Sequence, residues 1–302
     1  MLYFIVNEKS KSGNAKQIWK EIEEVLKVRN VSYQAFVSEY RGHAGKLAAE
    51  ICAMDDNDIC LVAVGGDGTA NEVINGITDF EKVRFGVIPT GSGNDLARGL
   101  SLSKDPKNGA IHILNAMKKS REDTWCGEKK RLFAISAGIG LDALVCKKAL
   151  KSTIKDILNK IRLGKLTYLV LTVQSLFTMQ TADAEIFFDR EEGLQKKRMI
   201  FTAAMNFKAE GGGVPMAPAA SACDGKLSFC EAAGIPKWRT FLCLPFLVAA
   251  KHTSIHGFSV TDAKDCTIRL SRPMVVHADG EYCGEVTEVH FHCLPGKLRV
   301  LK

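Results

Sequence analysis

The sequence predicts two domains: an N-terminal α/β domain built on a parallel sheet, then a C-terminal domain that is mainly an antiparallel β-sandwich. In the first third, short apolar runs alternate with amphipathic stretches, as strands and helices do around a parallel sheet. After about residue 126, strand-like runs are separated by turn residues, which is typical of antiparallel sheets. The 302 residues also exceed what one hydrophobic core usually serves. We expect domains at 1–126 and 127–302, and leave open whether the extreme C-terminus returns to the first domain.

Apolar periodicity places the elements of the first domain. Ile18, Ile22, Val25 and Leu26 recur at helical spacing, whereas the apolar run at 58–64 has the length and composition of a buried strand. The same reasoning predicts strands at 2–6, 31–37, 58–64 and 83–88, and helices at 15–28, 43–54, 70–77 and 94–100. This alternation indicates a Rossmann-like parallel sheet, and the ligands of such sheets bind at the carboxyl ends of the strands.

The second domain combines strand-like runs with clear turn signals. Asp224-Gly225 and Asp279-Gly280 are dipeptides that commonly form tight turns. Helical stretches are expected near 142–180 and 236–252. Strands are predicted at 131–137, 183–189, 198–205, 226–232, 265–270, 274–277 and 288–293.

Composition narrows the classes of partner. Apolar residues make up 46% of the chain, and the net charge of +7 suits an anionic membrane surface, a nucleotide or a nucleic acid. Since no helix-turn-helix, RNP or zinc-finger pattern occurs, we expect no nucleic-acid partner. The longest apolar runs, 166–179 and 241–250, fall short of the roughly 20 residues of a membrane-spanning helix. The N-terminus does not resemble a signal peptide. We expect a cytoplasmic protein whose membrane contact, if any, is peripheral at the inner face.

The ten cysteines include no C-x-x-C pair, and several lie within apolar runs such as Ile59-Cys60-Leu61. A zinc ribbon or a redox motif is therefore not expected. We interpret the cysteines as buried thiols in a reducing cytosol.

The strongest local signal is Gly65-Gly66-Asp67-Gly68-Thr69, which follows a predicted strand and precedes a predicted helix. Glycines let a phosphate approach the backbone, and a helix N-terminus offers it free N–H groups. Asp67 alone would repel phosphate, and coordination of Mg²⁺, directly or through water, gives this residue a reason to be present. Taken alone, the pentapeptide is equally well explained as a tight turn with Asp or Thr as a helix cap.

A second glycine motif, Pro89-Thr90-Gly91-Ser92-Gly93-Asn94-Asp95, also follows a strand and opens a helix. It lies one βα unit further along the chain, so both motifs are expected at the same edge of the sheet. Asn94 and Asp95 are also good helix caps, but two acidic glycine loops at one edge favour a site for phosphate and metal. Neither loop is a Walker A motif, and we interpret the third glycine pattern, at 138–143, as a close-packed turn.

Taken in order, these motifs resemble the catalytic family of diacylglycerol kinases, which is related to sphingosine, ceramide and, more distantly, NAD kinases. The resemblance covers essentially the whole chain. Besides the two glycine motifs, it rests on Asn7-Glu8-Lys9-Ser10, Ser38, Asn71-Glu72-Val73, the segment 133–145, Gly211-Gly212-Gly213 with Pro218, Asp224-Gly225-Lys226-Leu227, and Asp279-Gly280-Glu281. Several matches in the same order are far more specific than any single motif.

The resemblance implies ATP and Mg²⁺ as cofactors and a lipid hydroxyl as the acceptor. It implies that the nucleotide is bound by Asn7, Ser10, Ser38, Gly65, Gly66, Asp67, Gly68, Thr69, Ala70, Asn71, Glu72, Gly91, Ser92, Gly93 and Asn94. It implies an active site that includes Asp67, Asp95, Asp279 and Glu281. It also implies a structural Mg²⁺ held by the Asp224 carboxylate and by the carbonyls of Ser221 and Lys226, oxygen ligands that suit a hard cation.

The identity of the general base stays open between Glu281 and Asp67. Asp279-Gly280 by itself is most simply a hairpin turn, in which the Asp side chain usually bonds its own backbone. Glu281 is then the freer carboxylate. We therefore expect Glu281 as the general base with Asp279 as its orienter, and Asp67 as the alternative base.

The expected function is ATP- and Mg²⁺-dependent phosphorylation of a lipid, diacylglycerol or a related one, which would enter an apolar cleft between the domains. An NAD kinase shares the first glycine motif and is the nearest alternative enzyme. A catalytically silent protein that binds nucleotide or lipid is the alternative outside enzymes. The sequence names neither the lipid nor the oligomeric state, and a homodimer stays open.

A basic stretch at 147–165 carries seven cations against one acid, Asp156. Lys147, Lys151 and Lys155 are four residues apart, so a helix would align them on one face. Such a helix with an apolar opposite face fits an interfacial membrane contact. An ordinary helix that packs on the core explains the same pattern.

Overall fold

The computed structural model describes residues 1–10, 15–103, 105–117, 125–128, 131–151, 164–189 and 191–301. It divides into two compact units. Unit 1 comprises Met1–Trp125 together with Leu294–Lys302, and unit 2 comprises Cys126–Cys293. The predicted fold class is confirmed, since unit 1 contains a parallel sheet with helices and unit 2 contains an antiparallel sheet.

Unit 1 is built on a five-stranded sheet in which every pairing is parallel. Its strands are β1 (Leu2–Val6), β2 (Tyr33–Val37), β3 (Ile59–Gly65), β4 (Val83–Pro89) and the C-terminal β15 (Arg299–Val300). The spatial order is β15-β4-β3-β1-β2. β1 and β3 are buried along their whole length, as the central strands of a parallel sheet must be.

The described helices of unit 1 are α1 (Ala15–Val28), α2 (His43–Cys52), α3 (Asp67–Gly76), α4 (Asp95–Gly99) and α5 (Pro106–Ala116). Helix α1 buries Ile22 and Leu26, two of the four residues whose spacing predicted it. It also buries Trp19, whose ring centroid lies 5.1 Å from that of Phe4 on β1. Its apolar face therefore forms part of the core of unit 1.

Helix α3 begins earlier than the sequence predicted. Apolar periodicity placed its start at 70, but the Ala70 N–H donates to the Gly66 carbonyl at 3.1 Å, so the helix begins at Asp67. Glycine and aspartate are weak helix formers, which is why periodicity alone missed this turn. Three of the five residues of the first glycine motif, 67–69, therefore lie in the first turn of a helix.

Unit 2 contains a ten-stranded sheet. Its strands are β5 (Trp125–Glu128), β6 (Arg131–Leu132), β7 (Ser136–Gly140), β8 (Ala182–Phe188), β9 (Leu194–Met199), β10 (Phe201–Met205), β11 (Leu227–Ala232), β12 (Phe258–Ala263), β13 (Asp265–Ala278) and β14 (Glu281–Leu294). The path is β12-β11-β10-β7-β13-β14-β5-β6, and β8 pairs with β13 and β9. The described helices are α6 (Leu141–Lys151), α7 (Gly164–Thr178), α8 (Lys237–Val248) and a 3₁₀ turn at His252–Ser254.

A long hairpin of β13 and β14 dominates this sheet. Two strands predicted at 265–270 and 274–277 form one strand, because pairing continues across a register shift between Arg269 and Met274. Ala278 pairs with Glu281, so the turn has two residues. Asp279 and Gly280 both have positive φ, 49° and 81°, as a type I′ turn requires. The sequence predicted this turn correctly.

The cysteines mostly occupy the positions expected of buried thiols. Cys52, Cys60, Cys230, Cys243 and Cys266 are buried. Burial raises the pKa of the Cys230 and Cys266 thiols far above the usual range, so both stay protonated. Cys293 on β14 is disulfide-bonded, so the interpretation as thiols is wrong for this residue.

Most of the predicted basic helix, residues 152–163, lies outside the described residues, and the prediction that the stretch forms one helix stays a prediction. Lys147 lies in α6. Its Nζ donates to the Glu285 carboxylate at 2.6 Å and lies 4.9 Å from the centroid of the Tyr282 ring. This cation is therefore already paired within unit 2. No helix in the described part of the chain is long and apolar enough to cross a bilayer.

Candidate active site

Four neighbouring strands of unit 1 end next to the residues predicted to bind nucleotide. Ser38 follows β2, Asn7 and Ser10 follow β1, and the two glycine motifs follow β3 and β4. In the order β4-β3-β1-β2, the connection from β1 to β2 and the connection from β3 to β4 run in opposite directions across the sheet, so the strand order reverses between β1 and β3. Open parallel sheets bind their ligands at such a switch point, so the predicted residues share the expected edge.

The two glycine motifs touch each other through their backbones. The Thr90 N–H donates to the Gly65 carbonyl at 2.8 Å. A Cβ added to Gly91 would lie 2.6 Å from the Gly66 Cα, a distance that real Cβ atoms essentially never show. The glycine at 91 is therefore required by its contact with Gly66, in addition to any ligand.

Asn94 closes the second glycine motif. Its Oδ1 accepts from the Gly91 N–H and its Nδ2 donates to the Gly91 carbonyl, both at 2.9 Å. The residue adopts a left-handed backbone with φ 52°, which asparagine tolerates better than most residues. Its side chain thus fixes the loop, which is a structural role in addition to the predicted contact with nucleotide.

The Asp67 carboxylate joins the two motifs. Its Oδ2 and Oδ1 accept from the N–H groups of Asp95 and Leu96, each at 3.1 Å, so it caps helix α4 across the loop. Burial raises the pKa of Asp67, and the backbone hydrogen bonds act in the opposite direction. Because a carboxylate offers about four lone-pair positions, the two donors leave acceptor capacity for a hydrated cation.

Asp95 is buried and forms an ion pair with Arg98, one turn later in α4. Arg98 also donates from Nη2 to the Gly93 carbonyl at 2.9 Å. The guanidinium of Arg98 compensates part of the negative charge of Asp95 and of Asp67. The predicted metal-facing carboxylates, Asp67 and Asp95, therefore lie side by side in unit 1.

The loop after β1 is tied to both glycine motifs. The Asn7 Nδ2 donates to the Thr69 hydroxyl at 3.0 Å, and the hydroxyls of Ser10 and Thr90 lie 2.6 Å apart. Thr90 was not among the predicted site residues, although it directly precedes Gly91 in the sequence. Three loops therefore form one hydrogen-bonded surface.

Glu72 connects the loop after β2. Its Oε1 accepts from the Gly42 N–H at 2.8 Å. Ala70 and Asn71, in contrast, are buried within α3. Ser92 is exposed at the tip of the second motif. The predicted nucleotide-binding residues thus include exposed residues as well as buried residues that support the exposed ones.

In unit 2, Asp279 braces a distant segment of the chain. Its carboxylate accepts from the N–H groups of Ala134 and Ile135 at 2.7 Å each, and of Ser136 at 3.1 Å. This carboxylate reaches well beyond its own turn, because the strand pairing of β7 with β13 brings three N–H groups within reach. Glu281, half-buried, is the first residue of β14.

A buried polar cluster that the sequence analysis did not predict lies beside this turn. The His277 Nε2 lies 3.1 Å from the Asp142 Oδ2, and a Glu210 carboxylate oxygen lies within 4.8 Å of both. Gly138 makes room for them, since a Cβ there would lie 1.7 Å from the Asp142 Oδ2. The sequence feature that could have indicated this cluster was Asp142, which lies within the close-packed turn at 138–143.

His277 also holds the Asp279-Gly280 turn. Its Nδ1 accepts from the Gly280 N–H at 3.1 Å. Burial lowers the pKa of His277, but the hydrogen bond and charge of Asp142 outweigh it and raise the pKa to about 9. The geometry is that of a ring protonated on Nε2 alone, because a proton on Nδ1 would break the bond from Gly280. The charge of Asp142 favours the second proton, so the turn and the carboxylate favour different protonation states of the ring.

Glu210 enters the cluster from a turn of three glycines. Gly211, Gly212 and Gly213 all have positive φ, and the Val214 N–H returns to the Glu210 carbonyl at 2.7 Å. Burial raises the pKa of Glu210. Its buried Oε2 has no hydrogen-bond partner among the described residues. The three glycines are therefore explained by a backbone that other residues rarely adopt.

The predicted loop for a structural cation is a compact turn in unit 2. The Asp224 Oδ1 accepts from the Lys226 N–H at 3.0 Å, and the Ser221 Oγ accepts from the Cys223 N–H at 3.4 Å. Asp224 is exposed and uses one carboxylate oxygen in this turn. A carboxylate oxygen is a ligand that suits a hard cation, and the turn also explains the sequence without one.

Comparison with known proteins covers both units. Residues 1–124 match the diacylglycerol kinase catalytic domain. Residues 136–302 match the domain described as the YegS C-terminal NAD kinase beta sandwich-like domain. The chain belongs to the diacylglycerol kinase-like family of lipid kinases. The family resemblance drawn from the sequence is confirmed.

Individual relatives match nearly the whole chain at modest identity. A protein of Bacillus subtilis (strain 168) named "Putative lipid kinase YtlR" is 27% identical, covering 99% of this chain and 98% of its own. A diacylglycerol kinase of Staphylococcus saprophyticus is also 27% identical, covering 96% and 90%. The crystal structure of a diacylglycerol kinase from Bacillus anthracis superposes with a TM-score of 0.74 at 18% identity, covering 99% and 96%, which shows a common fold.

The contact between the glycine motifs predicts the effect of one methyl group. Gly91→Ala should lower the free energy of unfolding by about 1–3 kcal/mol, because Gly66 must move away. The matched control is Gly109→Ala, where a Cβ meets nothing closer than 3.7 Å in helix α5. The control should be neutral or slightly stabilising. Equal denaturation midpoints for the two variants would contradict this account.

The buried cluster predicts strong coupling between two residues. His277→Leu should cost about 3–5 kcal/mol of folding free energy, because it leaves buried carboxylates without their partner. The double variant His277→Leu with Asp142→Leu should lose less than the sum of the single variants. Chemical denaturation of all four proteins measures this cycle. Additive losses would show that the two side chains do not act as a pair, and His290→Leu, on the exposed part of β14, serves as the control.

Proposed function

We propose that this protein transfers the γ-phosphoryl group of ATP to the hydroxyl of a lipid, diacylglycerol or a close relative, with Mg²⁺ as cofactor. The observation that carries the proposal is the contact of two acidic glycine motifs at the switch point of a parallel sheet, in a chain that belongs to a family of lipid kinases. Phosphoryl transfer depends mainly on positioning and charge stabilisation, which such an edge provides.

In this proposal, the edge of unit 1 binds the nucleotide. Backbone N–H groups of the two glycine motifs would face the phosphates, and the side chains of Asn7, Ser10 and Ser38 would complete the site at the ends of β1 and β2. Asn94 and Glu72 would hold the loops in place through the hydrogen bonds they already make. The nucleotide would therefore meet a largely preformed surface.

Asp67 and Asp95 would hold the Mg²⁺ ion, in part through water. The ion would supply charge neutralisation at the phosphate oxygens. Asp67 fits this role because two N–H groups fix its orientation while acceptor positions remain. The residues present therefore fit the ion that the family implies.

We propose Glu281 as the group that accepts the proton of the lipid hydroxyl. The turn that precedes Glu281 is fixed on two sides, by the hydrogen bonds of Asp279 to the 134–136 backbone and by the bond from Gly280 to His277. A general base profits from such a rigid support. Asp279 would act as the positioning residue, and Asp67 is the alternative base.

The nearest alternative enzyme is an NAD kinase, which the description of the C-terminal domain match also names. The Asp279-Gly280-Glu281 turn and the names of the relatives favour the lipid. As part of the proposal, we place the protein in the cytoplasm with peripheral contact to the membrane. A catalytically silent binding protein is the remaining alternative, and it would bind ATP without turnover.

The decisive test is incubation with labelled ATP, Mg²⁺ and a panel of detergent-dispersed lipids, with NAD as a separate acceptor. We expect a phosphorylated lipid whose formation stops when Mg²⁺ is chelated. Glu281→Gln should lower the turnover number by about 10²–10⁴-fold, whereas Glu288→Gln, further along β14 on the surface, should leave it unchanged. Transfer only to NAD would select the alternative enzyme, and no transfer to any acceptor would select the silent protein.

The two candidate bases are separated by the pH dependence of the rate. Removal of the true base should abolish the acidic limb of the pH–rate profile, whereas loss of the metal-holding carboxylate should raise the Mg²⁺ requirement. Asp67→Asn should show the second behaviour. Asp105→Asn is the matched control, because Asp105 also caps a helix, at Lys107, outside the site. If the acidic limb of the pH–rate profile disappears in Asp67→Asn but not in Glu281→Gln, the general base is Asp67.

The cation proposed at Asp224 predicts a change in stability. Asp224→Ala should lower the melting temperature in the presence of Mg²⁺, because ligand binding to the folded state adds stability. After chelation of the wild type, most of this difference should vanish. Asp262→Ala serves as a control for loss of one carboxylate near the same strand, β11. A difference between Asp224→Ala and wild type that survives chelation in full would assign the residue to the turn alone.

A further inference from the structure

Helix α8 turns its apolar side toward solvent. Thr240, Cys243 and Leu247 face the interior, while Trp238, Phe241, Leu242, Phe246 and Val248 are between 40% and 65% exposed. A surface helix normally has the opposite arrangement, with polar residues outward. The pattern therefore indicates that the outer side of α8 is made for a partner.

Helix α7 extends this surface. Leu169, Val170 and Phe177 are about half exposed, between 48% and 51%. The Phe177 ring lies 6.0 Å from the Phe241 ring, so the two helices meet along this side. We define the apolar face as Leu169, Val170, Phe177, Trp238, Phe241, Leu242, Phe246 and Val248. A cluster of this size on one side of a unit marks an interaction surface.

The two helices that form the apolar face carry charged residues of one sign only. Neither α7 nor α8 contains Asp or Glu, and the whole segment 232–261 contains none. The same segment carries Lys237, Arg239 and Lys251, of which Arg239 and Lys251 are exposed. Lys237 donates to the Phe177 and Met179 carbonyls at the end of α7. The surface therefore offers apolar area bordered by cations.

We propose that the apolar face docks into the surface of an anionic phospholipid bilayer. Exposed tryptophan favours the interface between lipid tails and headgroups, and the bordering cations pair with anionic headgroups. Helix α8 has 12 residues, about 18 Å at 1.5 Å per residue. That length is too short to span a bilayer, so the helix lies in the plane of the interface.

A second copy of this chain fits the same surface less well. A symmetric contact between two apolar faces would bring Arg239 and Lys251 of both copies close together. Helices α7 and α8 provide no carboxylate to pair with them. Anionic lipid supplies the negative charge that the two helices lack, and we therefore propose the bilayer as the partner.

This surface differs from the basic stretch at 147–165. Its binding to the bilayer would depend mainly on burial of apolar area and less on charge. Its residues lie in α7 and α8. The inference rests on the proposed function only in one respect, which is that a lipid substrate gives the protein a reason to visit the membrane. Vesicle binding is measured without ATP, so its outcome is independent of kinase activity.

The first experiment is co-sedimentation of the full chain with vesicles of phosphatidylglycerol mixed with phosphatidylcholine. Trp238→Ser with Leu242→Ser should weaken binding by at least about tenfold, because two anchoring side chains are lost. The matched control is Leu194→Ser, an equally exposed apolar residue of unit 2 on β9. All replaced side chains are exposed, so melting temperatures should stay close to wild type.

The charge contribution has its own variant. Arg239→Glu with Lys251→Glu should weaken binding to the anionic vesicles, by about fivefold for each cation removed. The binding of wild type should also fall as salt is added. If the serine variant proves unstable, this charge variant tests the same surface without touching its apolar side chains.

Tryptophan fluorescence locates the contact. Of the three tryptophans, Trp19 is buried in unit 1 and Trp238 is exposed on the face. Vesicles should shift the emission to shorter wavelength, and lipids brominated on the acyl chain should quench it. Trp238→Phe should lose both changes while it still sediments with the vesicles.

Three results would overturn the proposal. They are absence of wild-type binding to the anionic vesicles at low salt, equal binding by wild type and both double variants, and light scattering that shows a dimer which Trp238→Ser with Leu242→Ser converts to monomers. Activity on detergent-dispersed diacylglycerol keeps the two questions apart. An active kinase that ignores vesicles refutes only the docking surface, and an inactive protein that binds them refutes only the proposed reaction.

Discussion

The backbones of Gly66 and Gly91 lie in contact, and the candidate site of unit 1 depends on that contact. Parallel pairing of β3 with β4 places the two turns side by side, and a side chain at position 91 would push Gly66 away. Separation would also move α4 away from the Asp67 carboxylate that caps it. The glycine at 91 therefore has a steric explanation that is independent of any phosphate, because the two helix starts converge only when this position lacks a Cβ.

Unit 2 fixes its own carboxylate-bearing turn through hydrogen bonds to a distant segment. A partly buried carboxylate is costly unless hydrogen bonds compensate it, and three N–H groups do so for Asp279. His277 holds the same turn from the other side and is itself held by Asp142. The position of Glu281 follows from this double support. In both units, a carboxylate that the sequence suggests as a catalytic group also stabilises the fold through its hydrogen bonds.

The outer side of helix α8 is apolar although it is exposed to solvent. Its exposed aromatic and aliphatic side chains are unfavourable in water and favourable at a lipid surface. The helix is held to unit 2 by a narrow stripe that includes Thr240 and Cys243. The sequence predicted only a helical stretch near 236–252. Which side of it faces the core is decided by the neighbours, because the helix is apolar nearly all round.

The sequence by itself determined the fold class, the family, the strand–loop–helix position of both glycine motifs and the two-residue turn at Asp279-Gly280. These are local properties, set by periodicity, by backbone freedom and by the order of motifs along the chain. The tertiary structure alone decided that Asp67 caps α4, that Asp279 bonds a segment more than 140 residues away, that His277 meets Asp142, and that Cys293 is disulfide-bonded. Such contacts join residues distant in sequence, and they depend on which strands become neighbours, which no local pattern specifies.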